Sequence, residues 1–399
     1  MKHTVLIVIG DLDIGGAERH LVQILPRLNR EHFRVVVYTL THKGALAETL
    51  EAKGISVIEP GLGSKVRRIL PRFGRLWVLT PLTMIPLIFL MRKLRPDIIH
   101  FFLPRPYLVG TICALIAGSR YRVMSRRSLS VYQKHHPLLA RMEQRLHRYM
   151  HGMLGNSKAV LAELRKEGIP EEKLGLIYNG IDLAPFVEKA TRKELLPAQN
   201  IKNDTLVFVI VANLIYYKGH MNLLRALGRV RGQLPKGWVL LCVGRDDGIG
   251  DELMMHAKEN HIFPNVRWLG PRWDTAQLLM ASDIGILCSD QEGFSNSILE
   301  GMAAGLPMVV TDVGGNTEAV IDGETGFVVP PQDPKCLAEA ILKLVKDPAL
   351  RQRMGEAGRR RIEERFSIDA CARAYERFYT GLVEHKASSV QALTQGEAQ

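Results

Sequence analysis

Short, continuous apolar runs recur along this 399-residue chain, and each is followed by a glycine-containing loop and then by a helical pattern. Strands that are apolar throughout are typical of parallel sheets that helices cover on both faces. The runs lie near Val5–Ile9, Leu206–Ala212, Trp238–Val243, Asp283–Leu287 and Met308–Thr311. This pattern predicts an α/β protein made of parallel βα units, and the length favours more than one domain.

The pattern starts again in the second half of the chain, after a polar stretch that contains proline. We therefore predict a first domain over residues 1–182, a linker over 183–204 and a second domain over 205–365. The last helical pattern covers residues 366–385. The polar residues 386–399 are predicted to be a disordered tail.

Two glutamates in the second domain, Glu292 and Glu300, lie eight positions apart on either side of a predicted helix N-terminus. Ser295 or Asn296 is expected to cap this helix, and the amides and dipole of such an end attract anions. Glu300 would lie about 6 Å further along the axis. Carboxylates that flank an anion site suit a nucleoside, a pyrophosphate and a sugar. The alternative is a surface helix with two solvated glutamates.

Other loops of the second domain are expected at the same edge of the sheet. Lys218 follows the strand Leu206–Ala212, and ligands of doubly wound folds bind at the carboxyl ends of the strands. Its ammonium would neutralise a departing pyrophosphate, although an exposed loop lysine is the plainer interpretation. Gly244 and Arg272 end two further strands, where we expect contacts with a nucleobase.

In the first domain, Gly15-Gly16 opens a helix and lets a ligand approach the backbone closely. The G-x-G-x-x-G fingerprint is absent, which argues against a nicotinamide-dependent dehydrogenase. The five cysteines are scattered, without a C-x-x-C pair, and no metal site is predicted. The N-terminal apolar run is too short for a secretory signal, so we expect a reducing, cytosolic location.

The charge is distributed unevenly. Residues 1–180 hold 28 Lys and Arg against 13 Asp and Glu, a net of +15, and the rest of the chain holds 25 against 28, a net of −3. A basic half is typical of proteins that bind nucleic acid, anionic membranes or phosphorylated ligands. Simple solubilising charge is the alternative.

Two basic stretches of this half have open interpretations. In residues 65–95, arginines flank the uncharged run 76–91, which is too short to span a bilayer and in which Pro81 and Pro86 are expected to interrupt a helix. It is either a buried core helix or an element that docks on a membrane surface. Residues 120–148 form either a solvated face or a site for a diphosphate-bearing or lipid-linked acceptor.

Several motifs together resemble a known family. They are GGAER at 15–19, Asn156-Ser157, YNGID at 178–182, Lys218-Gly219, GRDDG at 244–248, the WLGPR stretch, the segment from Glu292 to Gly315, and TGFVVPP at 325–331. With these motifs, over nearly its whole length, the chain resembles the retaining glycosyltransferases of family 4. The resemblance implies the GT-B fold, in which two Rossmann-like, doubly wound domains face a cleft, and it implies that the last helix crosses back to the first domain.

The resemblance also implies roles for residues. Glu300 would hold the donor ribose, Glu292 the transferred sugar and Lys218 the diphosphate, while Gly16 would line the cleft. The amides around Phe294, Ser295, Asn296 and Ser297 would hold phosphate and sugar. Transfer would retain the anomeric configuration without a protein nucleophile, and the positive charge would replace a divalent metal.

This chain departs from the family pattern at two places. Asn213 stands where many members have arginine, so one phosphate contact is expected to be weaker or to come from elsewhere. Many members place a donor-contacting histidine after a strand of the first domain. Here Ser125-Arg126-Arg127 occupies that place, and Arg126 is the expected substitute.

The resemblance therefore implies a metal-independent, retaining transferase that moves a hexose or N-acetylhexosamine from a nucleotide-diphosphate sugar, with UDP as the expected nucleotide. The nucleotide sugar is the co-substrate, and no other cofactor is expected. The acceptor would be a saccharide or a polyprenyl-diphosphate-linked glycan of the cell surface, reached from the cytoplasmic face of the membrane. The alternatives are a GT-B sugar-nucleotide epimerase or phosphorylase, and a non-catalytic basic protein that binds membrane or nucleic acid.

Overall fold

The computed structural model describes residues 2–61, 75–131, 133, 136–187, 201–384 and 389–394, except for the side chains of residues 75–82. Most of the predicted linker, the arginine-rich residues 65–74 and Lys134-His135 lie outside this part. The chain divides into two compact units. Unit 1 comprises Met1–Gly180 and Ile368–Gln399, and unit 2 comprises Ile181–Ser367.

Unit 1 is built on a parallel sheet. Its strands are β1 (His3–Ile9), β2 (Phe33–Thr39), β3 (Ser56–Ile58), β4 (Ile98–Phe102), β5 (Tyr121–Arg126), β6 (Gly152–Gly155) and β7 (Leu174–Leu176). Among the described residues, these strands pair in parallel in the order β3-β2-β1-β4-β5-β6-β7. The order reverses between β1 and β4, which makes this sheet doubly wound.

Helices connect these strands, as parallel pairing requires. They are α1 (Gly16–Ile24), α2 (Ala47–Ala52), α3 (Arg75–Leu94), α4 (Pro104–Ala117), α5 (Pro137–His147) and α6 (Lys158–Lys166). Every residue of β4 is buried, which agrees with a central strand that helices cover on both faces.

Unit 2 repeats the architecture. Its strands are β8 (Val207–Val211), β9 (Val239–Val243), β10 (Val266–Gly270), β11 (Ile284–Leu287), β12 (Met308–Thr311) and β13 (Gly326–Val329). Its helices are α7 (His220–Val230), α8 (Gly250–Glu259), α9 (Thr275–Met280), α10 (Asn296–Ala303), α11 (Asn316–Ala319), α12 (Pro334–Lys346) and α13 (Pro348–Arg365). The described strands pair in parallel in the order β10-β9-β8-β11-β12-β13, which reverses between β8 and β11.

The chain then returns to unit 1 in α14 (Ile368–Glu384) and α15 (Val390–Thr394). α14 completes the core of that unit, because Tyr375 lies beside His20 of α1 and Tyr379 lies edge-on to Phe33 of β2. The predicted parallel α/β fold class and the five strand positions are confirmed, with boundaries that shift by no more than two residues.

Two local predictions are wrong. α3 runs without interruption through Pro81 and Pro86. Each proline removes only one amide donor, and the buried Leu87 and Met91 pack this helix into the core of unit 1. The tail is also partly ordered, since Val390 of α15 is buried in the core of unit 1.

No helix in the described part of the chain is both long enough and apolar enough to cross a membrane.

Two glycines of α13 give a matched test of packing in unit 2. A Cβ atom at Gly355 would lie 1.9 Å from the carbonyl oxygen of Gly305, whereas one at Gly358 would meet the Met302 side chain at an ordinary 3.6 Å. We expect Gly355→Ala to lower the free energy of unfolding by about 1–3 kcal/mol. Gly358→Ala should be neutral or stabilising by up to about 1 kcal/mol, because alanine favours helix.

Urea denaturation of both variants, followed by circular dichroism, measures the difference. Equal stabilities of the two variants would contradict the close approach at Gly355.

Candidate active site

The point in unit 2 where the strand order reverses brings two predicted residues together. Lys218 ends a short 3-10 turn after β8, and Glu292 lies in the loop after the neighbouring β11. The Lys218 Nζ donates to Glu292 Oε1 at 2.6 Å, and the side chains are only 18% and 10% exposed. The two loops therefore meet in an ion pair at the sheet edge where doubly wound folds bind ligands.

The backbone of the neighbouring loop holds the lysine loop in place. Gly219 has φ +73°, and a Cβ atom there would lie 1.9 Å from the carbonyl oxygen of Cys288. The Cys288 thiol donates to the Gly219 carbonyl at 3.2 Å, and the Asp290 amide donates to the Tyr217 carbonyl at 2.7 Å. Only glycine combines this conformation with so close an approach, which gives a structural reason for the Lys-Gly pair.

Glu292 is held from a second side. The Ser289 hydroxyl donates to the same Oε1 at 2.8 Å, and the Ser289 carbonyl accepts from Thr311 Oγ1 at 2.6 Å. Gly314, with φ +53°, passes so close that a Cβ atom would lie 1.7 Å from the Glu292 carbonyl oxygen. Sequence analysis did not identify Ser289, Cys288 or Thr311, and their positions in or beside buried strands gave no signal.

The helix that follows this loop begins differently from the prediction. Ser295 occupies the N-cap position of α10, but its side chain does not cap the helix and instead meets the Ser297 hydroxyl at 3.0 Å. The first-turn amides therefore do not depend on the Ser295 hydroxyl, and Asn296 is the first helical residue. Phe294 is buried against Phe366, with ring centroids 5.4 Å apart, so only its backbone can contact a ligand.

Glu300, the second glutamate of the motif, lies on α10 and is half-buried. A half-buried carboxylate on the second turn of this helix can accept hydrogen bonds from a ligand seated at the helix N-terminus.

The loops after β8, β9 and β10 are joined to one another. Gly244 donates its amide to the Gly270 carbonyl at 3.0 Å and has no room for a side chain against Ala212. Asn213 accepts from the Arg245 amide at 3.2 Å and donates to Asp247. These contacts hold the three loops together at one edge.

Arg272 makes two hydrogen bonds to Asp274, at 2.8 and 2.6 Å, and lowers the pKa of that carboxyl. These two hydrogen bonds lie within the loop after β10 and stabilise its conformation.

In unit 1, Gly16 is the first residue of α1 and follows the loop after β1. The Glu18 carboxylate folds back over the N-cap residue, since a Cβ atom at Gly15 would lie 2.2 Å from Glu18 Oε2. Burial raises the pKa of Glu18. The positive charge of Arg127 acts on Glu18, and the Arg127 Nη2 donates to Asn179 Oδ1 at 2.5 Å.

The predicted role of Arg126 does not agree with the structure. Its side chain is 3% exposed and donates to Ser130 at 2.9 Å, to Glu143 at 3.4 Å and to Glu167. Glu167 also accepts from His147 Nε2 at 2.9 Å. A guanidinium with three internal partners is a structural group, because a ligand could reach it only by breaking a buried ion network. The neighbouring Arg127 is half-buried, and its charge acts on Glu18.

A histidine in the adjacent strand is also unavailable to a ligand. His100 of β4 is fully buried between Tyr379 and Ser125, at 2.7 Å from each hydroxyl, and burial together with the charge of Arg127 holds its pKa well below the usual range.

One group of described residues has the composition of a metal site. Ligand atoms of Asp11, Asp13 and His42 lie within 4.8 Å of one another. His42 Nε2 and Asp13 Oδ2 are already paired at 2.9 Å, and Asp13 is exposed. This geometry is that of a histidine–carboxylate hydrogen bond at the surface.

Two family models match the chain, one in each half. The model described as Glycosyltransferase Family 4 matches residues 14–185, and the model described as Glycosyl transferases group 1 matches residues 191–361.

Two curated relatives match most of the chain. The capsular polysaccharide biosynthesis glycosyltransferase CapM of Staphylococcus aureus is 25% identical over 74% of this chain and 80% of the relative. The UDP-Gal:alpha-D-GlcNAc-diphosphoundecaprenol alpha-1,3-galactosyltransferase of Escherichia coli is 25% identical over 76% of this chain and 80% of the relative. Other curated relatives are matched over about half of their length.

A solved structure matches nearly the whole chain. The crystal structure of Anabaena Alr3699/HepE in complex with UDP and glucose has a TM-score of 0.81 with this chain at 24% identity, over 95% of this chain and 100% of that one. With the two doubly wound parallel sheets, this match confirms the predicted GT-B fold.

The buried ion network around Arg126 predicts a pH dependence of stability. Burial alone would raise the pKa of Glu167, but the hydrogen bonds and charges of His147 and Arg126 outweigh it and lower the pKa to about 2. Because this folded-state pKa lies below the unfolded value, the contribution is complete above about pH 5 and is lost as the pH falls towards 2. Glu167→Gln should lower the free energy of unfolding at pH 6 by about 3 kcal/mol and much less at pH 3.

Chemical unfolding at the two pH values measures this effect. Glu171→Gln is the control, because Glu171 pairs with Arg165 on the exposed surface and should change stability little. A Glu167→Gln deficit that is the same at both pH values would contradict the assignment.

Proposed function

Because the chain belongs to glycosyltransferase family 4, we propose that it transfers a sugar from a nucleotide-diphosphate donor to an acceptor in glycan biosynthesis. The observation that carries this proposal is the meeting of Lys218 and Glu292 where the strand order of unit 2 reverses, next to the N-terminus of α10. That place offers a cation, helix amides and carboxylates within one set of loops.

Each of these groups has a proposed role in holding the donor. Lys218 and the first-turn amides of α10 bind the diphosphate, because a helix N-terminus and an ammonium both attract anions. Glu300 accepts from the ribose hydroxyls, and Glu292 accepts from the hydroxyls of the transferred sugar. Gly244 gives the nucleobase access to the backbone at the ends of β9 and β10.

We propose UDP as the nucleotide and a hexose or N-acetylhexosamine as the sugar. The names of two proteins similar to this chain support this choice, since the Escherichia coli relative is named for UDP-Gal and the Anabaena protein was crystallised with UDP and glucose.

The proposed reaction retains the anomeric configuration and needs no metal. The bond between the sugar C1 and the diphosphate oxygen breaks, and the acceptor hydroxyl oxygen bonds to C1 on the same face. The acceptor proton passes to the departing diphosphate. Lys218 and the helix amides stabilise the negative charge that develops on that group.

For the acceptor, we propose a saccharide or a polyprenyl-diphosphate-linked glycan. The net charge of +15 on residues 1–180 favours an anionic ligand, and the name of the Escherichia coli relative specifies a diphosphoundecaprenol acceptor. Arg127, in place of Arg126, is the proposed cation beside the Gly15-Gly16 turn, where Gly16 lets an acceptor approach the backbone.

Two alternatives have less support. None of the relatives named above is an epimerase or a phosphorylase. A role in nucleic-acid binding alone does not explain why Lys218 and Glu292 meet at the carboxyl edge of the unit 2 sheet. The basic residues also contain no RNA- or DNA-binding signature.

A test of the donor site is Glu300→Ala. The variant should lose about 100-fold or more in donor turnover and bind UDP more weakly, because the ribose hydroxyls lose a charged acceptor. Thermal shift with UDP-, GDP- and ADP-sugars identifies the nucleotide, and calorimetry and a transfer assay then compare the variants. Glu324→Ala, in an exposed turn, is the control. Wild-type turnover by Glu300→Ala would contradict the proposed site.

We also propose peripheral contact with the cytoplasmic face of a membrane through unit 1. α3 buries Leu87 and Met91 but leaves Ile85 and Phe89 67% and 69% exposed. The exposed Arg92 and Lys93 end the same helix and suit anionic headgroups. All five cysteines are free thiols, which supports a cytoplasmic location.

Co-sedimentation with vesicles tests this contact. The double variant Ile85→Ser, Phe89→Ser should bind vesicles that contain phosphatidylglycerol at least about fivefold more weakly than the wild type. Met255→Ser, an exposed apolar residue of unit 2, should bind like the wild type. Unchanged binding by the double variant would exclude this face of α3.

A further inference from the structure

The lysine and the glutamate that the proposed function assigns to two parts of the donor are bound to each other in the structure. Lys218 Nζ lies 2.6 Å from Glu292 Oε1. Lys218 carries a single positive charge. A phosphate oxygen of the donor and the Glu292 carboxylate are both anions that would pair with this charge. The phosphate–Lys218 contact therefore competes with the Glu292–Lys218 contact.

The pair is a built feature of unit 2. Both side chains are largely buried, and the Ser289 hydroxyl holds the carboxylate oxygen that faces the lysine. His220, the histidine closest in sequence to Lys218, is buried, and burial together with the lysine charge lowers its pKa to about 4. His220 is therefore neutral near pH 7 and does not supply a second cation that could hold Glu292 and a phosphate at the same time.

We propose that Glu292 is an internal counter-ion that competes with the nucleoside diphosphate for Lys218, an inference that rests on the proposed function. A nucleotide sugar replaces the ion pair with a phosphate–lysine pair, and its sugar hydroxyls offer the displaced carboxylate new donors. A nucleoside diphosphate without the sugar offers Glu292 no such donors. Glu292 therefore weakens the binding of the product more than that of the donor, and its return to Lys218 assists product release.

Glu292→Gln tests the competition, because glutamine keeps the size and the hydrogen bond to Ser289 but loses the charge. We expect the Kd for UDP, measured by calorimetry, to fall by at least about fivefold, while transfer from the UDP-sugar falls strongly. The buried position of the pair is the reason to expect more than the small effect of an exposed ion pair. An unchanged or higher Kd would overturn the proposal.

A control excludes a general effect of charge. Glu259→Gln removes the same charge at the end of α8, which lies at the opposite edge of the sheet because the helix runs antiparallel to the strands. Its Kd for UDP should equal that of the wild type, and a gain equal to that of Glu292→Gln would overturn the proposal.

The double variant Lys218→Met, Glu292→Gln isolates the pair. The double variant should bind UDP no more tightly than Lys218→Met alone. If its affinity exceeded that of Lys218→Met by as much as Glu292→Gln exceeds the wild type, Glu292 would act by repelling UDP directly, and the proposed competition would be wrong. Failure of the proposed function looks different, because the wild-type protein would then bind none of the nucleoside diphosphates.

Discussion

Parallel pairing with a reversal of strand order is the constraint on which the rest of unit 2 depends. β8 and β11 are neighbours in the sheet, and the helices that follow them lie on opposite faces. The loops that lead from these two strands to their helices therefore border one crevice at the carboxyl edge of the sheet. Gly219 and Gly314 let the loop backbones approach more closely than any side chain would allow. The spacing of Lys218 and Glu292 is therefore set by backbone packing, and Ser289 adds the orientation of the carboxylate.

Unit 1 uses its charge differently. Much of its positive charge lies on the surface, but Arg126 forms buried ion pairs with Glu143 and Glu167 inside the unit. The neighbouring Arg127 has a different partner, since it donates to Asn179 and its charge acts on Glu18. Two adjacent arginines thus serve stability and a candidate ligand site respectively.

The sequence predicts the strands and the central site residues because each leaves a local signal. Apolar runs mark the strands, and Glu292 and Lys218 stand out as charges beside such runs. The choice between Arg126 and Arg127 leaves no such signal, because the two arginines are adjacent at the end of β5 and the partners of Arg126 lie up to 41 positions away. Ser289 is likewise defined by tertiary contacts, and α15 is ordered by packing against β7, far from it in sequence.

The hydrogen bond between His100 and Tyr379 joins residues that are 279 positions apart, and Tyr375, Phe378 and Tyr379 belong to the same core as Leu21. The whole of unit 2 lies between these segments in the chain. During synthesis, unit 2 therefore leaves the ribosome as a complete sequence while unit 1 still lacks α14. The buried face of its sheet must stay uncovered, or be shielded by other means, until the last part of the chain emerges.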